Sequence, residues 1–387
     1  MGIAIAINGA VRDSGCDCVQ GGSSMMRAGS AEVRLDRRAE RSASRLAAVL
    51  LAGGIALLSQ PASADEGGVS FWIPGFFGSL AATPQVPGFT VASMYYHTSV
   101  SAGGDVAFAR QVPVGRINVP FTGNVNANLQ ADADLGILIP QYVFATPVLG
   151  GQAAVALVVP FGRNKVGVDA TLTGALGPIG FTTGGSRTDS VTGLGDLIPQ
   201  FSMRWNQGVH NFMTYVTGDI PVGAYNSQRL ANLGIGHSAI DGGGGYTYFN
   251  PMTGHEFSAV LGFTYNFENT ATQYQNGVDM HLDWGASQFL TKQFQLGLVG
   301  YAYKQLSCDS GAGDRVGCFE ARVFGIGPQL GYVIPMGEWQ GYLNLKAYKE
   351  FGAEHRPEGW NAWLTFVISP AVPHTAAPPP GRRTIAK

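Results

Sequence analysis

Polar and apolar residues alternate with a period of two along much of the second half of the chain. From 278 to 286, Val278, Met280, Leu282, Trp284 and Ala286 fall on one face, and Asp279, His281, Asp283 and Gly285 on the other. From 256 to 267, Phe257, Ala259, Leu261, Phe263, Tyr265 and Phe267 oppose Glu256, Ser258, Val260, Gly262, Thr264 and Asn266. Between 342 and 350, Leu343, Leu345 and Ala347 interleave with Tyr342, Asn344, Lys346, Tyr348 and Glu350. Successive side chains of a strand point to opposite faces, so this period predicts strands. Helical spacing is scarce, because glycine and proline interrupt almost every window long enough to carry it.

The pattern places strands near 90–99, 127–145, 152–161, 193–205, 210–222, 242–250, 255–267, 276–289, 293–306, 319–334, 338–351 and 358–368, an even count of twelve. Their connections alternate in length. Short ones fall at 146–151, 206–209, 251–254, 290–292 and 335–337, and long ones at 100–126, 162–192, 223–241 and 307–318. Short turns at one end, long loops at the other and aromatics near strand ends mark an outer-membrane barrel, apolar toward lipid and polar toward its lumen. The expected fold is therefore all-β, a transmembrane antiparallel β-barrel of about 12 strands spanning 90–368. Within the long loop region, 227–233 reads as a short helix, either exposed or lying as a lid above the pore.

Three segments stand apart from the strands. Residues 65–89 contain Pro74, Pro84 and Pro87, which bar them from a hydrogen-bonded ladder. They also carry Phe71, Trp72, Phe76 and Phe77, too apolar a set to stay in water. A plug in the lumen is the expected placement, with a periplasmic cap as the alternative. Upstream, five arginines within 34–45 precede an uncharged apolar run at 46–58 and an Ala-Ser-Ala site at 62–64, the layout of a secretory signal peptide. The run falls short of the roughly 20 residues that span a bilayer as a helix. Residues 1–64 are thus read as an extension plus a cleaved leader, with Met25 or Met26 as the alternative start. Residues 369–387, which include Pro378, Pro379 and Pro380, read as a disordered tail.

Composition agrees with a surface that does not face water. The 387 residues hold 55 glycines, about twice the usual share, while Lys+Arg number 24 and Asp+Glu 26. Near-neutrality excludes a nucleic-acid partner, which needs a clustered basic excess. The seven histidines make no H-x-x-x-H or H-E-x-x-H pattern, no G-x-S-x-G elbow occurs, and the glycine run 242–245 lacks a following lysine. No catalytic, cofactor or metal site is expected. The candidate functional residues are lumen-facing instead: Phe71, Trp72, Phe76 and Phe77 in the plug, and Glu256, Asp279, His281, Asp283, Tyr342, Asn344, Lys346 and Tyr348 on the wall. Cys308 and Cys318 flank a polar, glycine-rich stretch. In an exported chain they read as a disulfide stapling a loop tip, with free thiols as the alternative.

Five segments carry a resemblance: 70–82 (SFWIPGFFGSLAA), 95–99 (YYHTS), 170–178 (ATLTGALGP), 192–196 (TGLGD) and 210–221 (HNFMTYVTGDIP). They resemble the outer-membrane transporter family named for the meta-pathway of phenol degradation, over 65–370. The resemblance extends distantly to long-chain fatty-acid channels of the FadL type, whose N-terminal plug shifts to let hydrophobic molecules out through the wall. This chain lacks the Asn-Pro-Ala motif of those plugs. The resemblance implies passive uptake of small hydrophobic or aromatic compounds, with outer-membrane lipid and lipopolysaccharide, the solute and the barrel-assembly machinery as partners. The alternatives are a structural or adhesive barrel that transports nothing, and a lipid-modifying enzyme of the outer membrane.

Overall fold

A sheet immersed in hydrocarbon must give every backbone N–H and C=O a partner, so it cannot keep an open edge there. The computed structural model describes residues 70–371, apart from 115–116, 177–178, 315–317 and 319. The leader read at 1–64, the first residues of the segment 65–89 and the tail beyond 371 lie outside the described residues. Thirteen strands follow in order: β1 Gly88–Val114, β2 Ile117–Val143, β3 Gln152–Leu176, β4 Ile179–Leu194, β5 Ile198–Gln207, β6 His210–Gly218, β7 Ala239–Asn250, β8 His255–Asn266, β9 Asp279–Phe289, β10 Phe294–Gln305, β11 Arg322–Met336, β12 Trp339–Glu354 and β13 Glu358–Pro370.

The ring closes antiparallel. β1 pairs with β13 on one side and β2 on the other, and β2 pairs with β3. β3 is shared along its length, its residues 152–158 with β5 and its residues 161–176 with β4. Twelve strands thus form the closed barrel and β4 is an additional one, mounted at the end away from the short turns. The break between β4 and β5 has a local cause. The Gly195 amide donates to the Pro160 carbonyl at 2.8 Å, and Asp196 turns its carboxyl to the amides of Gly223 and Ile235, each at 2.7 Å. Gly223 and Gly234 let the outer loop approach this closely, since a Cβ on either would stand within 2.8 Å of Asp196 or its neighbour.

Two expectations are corrected here. The stretches 100–126 and 162–192 are not loops. β1 and β2 stay paired out to Val114 and Ile117, and β3 and β4 out to Leu176 and Ile179. These hairpins run far beyond the roughly ten residues that a tilted strand needs to cross the bilayer. Once past lipid a strand has no apolar face to show, so its period-two signal disappears although its ladder continues. Nor is 227–233 helical. Asp189 accepts from the amides of Leu230 and Ala231 and from Nε and Nη2 of Arg229, and the Asn164 side chain donates to the Asn232 carbonyl at 2.8 Å. Such side-chain bonds compete with a helix for the same backbone groups. The Arg229 guanidinium holds the Asp189 carboxyl well below the usual carboxylate range.

The barrel is apolar outside and polar inside. Leu261 and Leu345 are 42% and 46% exposed, whereas Asp241, Ser258 and His281 are fully buried. Phe89, Tyr142 and Trp339 ring the end with the short turns, and Tyr265, Phe267, Phe351 and Trp360 the other, all of them exposed. Amphipathic rings at both water–lipid boundaries are the girdles of a transmembrane barrel. A Leu261→Arg substitution, at the middle of β8 and facing lipid, should destabilise the folded barrel by about 2–4 kcal/mol. Denaturant unfolding in lipid vesicles checks this, with Leu149→Arg at a short turn as the comparison expected to change little.

Candidate functional site

The segment 70–87 enters the structure as irregular backbone, because its prolines and glycines cannot join the sheet. Such backbone carries unpaired N–H and C=O groups, and the barrel's inward side chains supply their partners. Asp283 accepts the amides of Gly75 at 2.9 Å and Phe77 at 3.1 Å. Opposite it, Lys346 Nζ donates to the carbonyls of Gly75 at 2.6 Å and Phe77 at 3.1 Å. The two charged side chains, from β9 and β12, therefore grip one short turn from both sides. Gly75 is required in that turn, since its φ is +86° and a Cβ would press on the Tyr348 ring at 3.0 Å.

The same arrangement continues along the arm. Leu80 N donates to Glu256 Oε1 at 2.9 Å, Ala82 N to Thr247 Oγ1 at 3.0 Å, and Gln85 N to Gln152 Oε1 at 2.8 Å. Arg204 reaches the Ala81 carbonyl and Gln85, and Gln329 reaches Ser79 Oγ. These partners come from β3, β5, β7, β8, β9, β11 and β12, around the circumference of the ring.

The arm's aromatic rings gather against the wall. Trp72 stacks on His281 with 3.7 Å between centroids and 12° between planes. Phe77 stands 5.4 Å from Trp72 and 5.3 Å from Tyr215, and Phe76 stands 6.3 Å from Trp363. Phe71 does not join them. It packs with Ile235 and Ala239 under the outer loop. Among the wall residues read from the sequence, Asp283, Lys346, Tyr348, Glu256 and His281 touch the arm. Asp279 instead accepts from Asn266 at 2.9 Å, while Tyr342 donates to Gln295 at 2.6 Å and Asn344 to the Leu330 carbonyl at 3.1 Å. Those three line the interior away from the arm's turn. A disulfide joins Cys308 to Cys318 in the loop after β10, which leaves their sulfurs unavailable to the neighbouring Glu320 as a metal site.

A profile of the family described as putative MetA-pathway of phenol degradation matches residues 94–366. The chain belongs to this family. The match covers the barrel wall from β1 to β13 and leaves out the arm that precedes it. Among solved structures, the chain is similar to an outer membrane channel from Pseudomonas putida F1, at 15% identity and a TM-score of 0.53, over 77% of this chain and 99% of that one. A FadL homologue from Pseudomonas aeruginosa aligns over 80% of this chain and 98% of that one at 10% identity, with a TM-score of 0.37. No curated protein matches the chain.

Several residues of this family member's interior escape a reading of alternation alone. Asp241 pairs with His281 Nε2 at 3.0 Å and accepts from Thr264 at 2.6 Å, and Tyr215 lies 3.2 Å from the same imidazole nitrogen. Tyr301 donates to Glu350 at 2.7 Å and accepts from Asn361 at 2.8 Å. Inward parity was the signal available for all of them. The glycine run after Asp241 removes the apolar partners that would have displayed it. His281 is engaged by an aspartate and a tyrosine rather than by a serine, so a serine-hydrolase dyad is not formed at this imidazole.

The grip on the arm generates a prediction. Hydrogen bonds to charged groups are worth about 1.5–3 kcal/mol each. Removing both charges in Asp283→Asn/Lys346→Met should lower the exchange protection of the Gly75 and Phe77 amides by about tenfold or more. Hydrogen exchange followed by mass spectrometry on peptides covering 70–85 checks this, with β8 peptides expected to stay unchanged.

Proposed function

We propose that this protein is an outer-membrane channel for passive uptake of small hydrophobic or aromatic compounds of the phenol-pathway kind, with the arm 70–87 as its plug. The observation that carries the reading is the arm's cluster of Trp72, Phe76 and Phe77 packed against Met213, Tyr215, Val260 and His281 inside a closed, lipid-facing barrel. Apolar solutes cross a lipopolysaccharide leaflet slowly. A lumen offering both aromatic faces and hydrogen-bonding groups gives them a path of lower barrier. In this reading Phe71, Trp72, Phe76 and Phe77 gate the path, and Tyr342, Asn344, Lys346 and Tyr348 form the wall along which the solute moves. Family membership and the fold of a solved outer membrane channel support it. The protein acts as a conduit and not as an enzyme. It reaches its membrane by a leader cleaved after Ala64 and inserts there with the barrel-assembly machinery.

The long hairpins β1–β2 and β3–β4 favour a second reading, an adhesive barrel whose work is done by its outer surface and whose lumen stays closed. A planar-bilayer recording separates the two, because a closed barrel shows no solute-dependent steps.

Liposome swelling with phenol, benzoate and sugars, comparing the whole chain with a deletion of 70–87, tests the channel directly. Phenol should enter faster than in protein-free vesicles, and the deletion should admit all three solutes several-fold faster. Equal slow uptake of every solute by both versions contradicts the proposal.

A further inference from the structure

At one place on the lumen wall a flat ring is already seated. Trp72 lies face to face on the His281 imidazole, which is itself fully buried. His281 Nε2 is shared by Asp241 Oδ2 at 3.0 Å and the Tyr215 hydroxyl at 3.2 Å, so the imidazole plane is held fixed from β7 and β6. The space for this group is cut out of β8 by a missing side chain, since a Cβ on Gly262 would stand 2.1 Å from the Tyr215 hydroxyl and 2.4 Å from His281 Nε2. Phe77 borders the stack on the arm's side, 5.4 Å from the indole.

The stack is well packed and poorly satisfied. Asp241 Oδ1, His281 Nδ1 and Trp72 Nε1 are buried polar atoms, and each lacks a hydrogen-bond partner among the described residues. Asp241 is fully buried and meets His281 Nε2 through Oδ2, so among the described residues its Oδ1, on the same carboxyl, is an acceptor without a donor. Leaving such an atom unpaired is costly, and a ligand that pairs it is bound correspondingly better. The indole that fills the place supplies the aromatic face but its single donor, Nε1–H, stays unpaired.

We infer that the place held by Trp72 on His281 is a binding slot for a monocyclic hydroxylated aromatic compound, of the phenol class, and that the arm's own indole occupies it as a stand-in. The solute's ring takes the stacking position and its hydroxyl donates to Asp241 Oδ1. A phenol ring is smaller than an indole, so it fits the space the indole leaves. A plain arene of the same size fills that space and leaves the acceptor unpaired, and an acyl chain neither stacks nor donates. Because Trp72 belongs to the arm, filling the slot removes one of the arm's anchors. The inference rests on reading the protein as a channel for aromatic compounds and adds the feature that selects among them.

Equilibrium dialysis of labelled phenol and labelled anisole against the full chain in lipid nanodiscs tests the slot, with empty nanodiscs subtracted and folding of each variant checked by heat-modifiable gel migration. Anisole keeps the ring and lacks the O–H donor. Phenol should bind saturably and about tenfold more tightly than anisole. Trp72→Ala, which clears the competing indole, should tighten phenol binding about tenfold, and Asp241→Asn should narrow the gap between the two solutes. In the wild type, phenol should also shift tryptophan emission, a shift lost in Trp72→Phe. Equal binding of phenol and anisole to the wild type, which needs no variant, overturns the slot, as does unchanged phenol affinity in Trp72→Ala. Parallel vesicle uptake keeps the two readings apart. Saturable, hydroxyl-selective binding without uptake upholds the slot and overturns the channel, whereas uptake without saturable binding overturns the slot and leaves the channel standing.

Discussion

Backbone polarity is the constraint from which the rest of this molecule follows. Hydrocarbon offers nothing to an unpaired N–H or C=O, so the strands that cross it must close on one another. Closure then inverts the usual distribution of side chains. The face that would be a core in a soluble protein becomes the outer surface, and the polar face is turned into a confined interior. There Asp283, Lys346 and Glu256 are buried away from bulk solvent. A buried charge needs compensating partners, which makes the interior dependent on whatever enters it.

The arm answers that need with its own unmet groups. Its prolines and glycines leave it without a ladder, and the wall's side chains take up its amides and carbonyls one after another. Each partner therefore stabilises the other, the charges by gaining dipoles and the arm by gaining bonds. In the Asp283–Lys346 grip the turn of 75–77 is bonded to both side chains, its amides to the carboxylate and its carbonyls to the ammonium. An arm held by many separate bonds stays in place while they last and is released when a few are exchanged for others, which suits the proposed role of a plug that aromatic solutes displace.

How much of this the sequence displays depends on where each segment sits. β8, β9 and β12 can be read residue by residue, because lipid on one side and a polar lumen on the other impose strict alternation on Leu261, Asp283 or Lys346 and their neighbours. The paired outer parts of β3 and β4, within 165–175 and 180–190, cannot, since threonine, glycine and charged residues there fall on either face. Asp241 is hidden for a related reason: the glycines that follow it carry no side chains to set a phase. The arm's exclusion from the sheet is plain from Pro74, Pro84 and Pro87. Its partners, between 67 and 271 residues away in sequence, are fixed only by the register of the closed ring.

The inverted barrel is tested most directly by a residue-by-residue scan of β8 in bilayers containing brominated lipid. A single fluorescent label is placed in turn at each position from 257 to 264. The account predicts strong quenching at 257, 259, 261 and 263 and little at 258, 260, 262 and 264, a period of two in phase with the exposed leucines and phenylalanines. Uniform quenching, or quenching in the opposite phase, would contradict it.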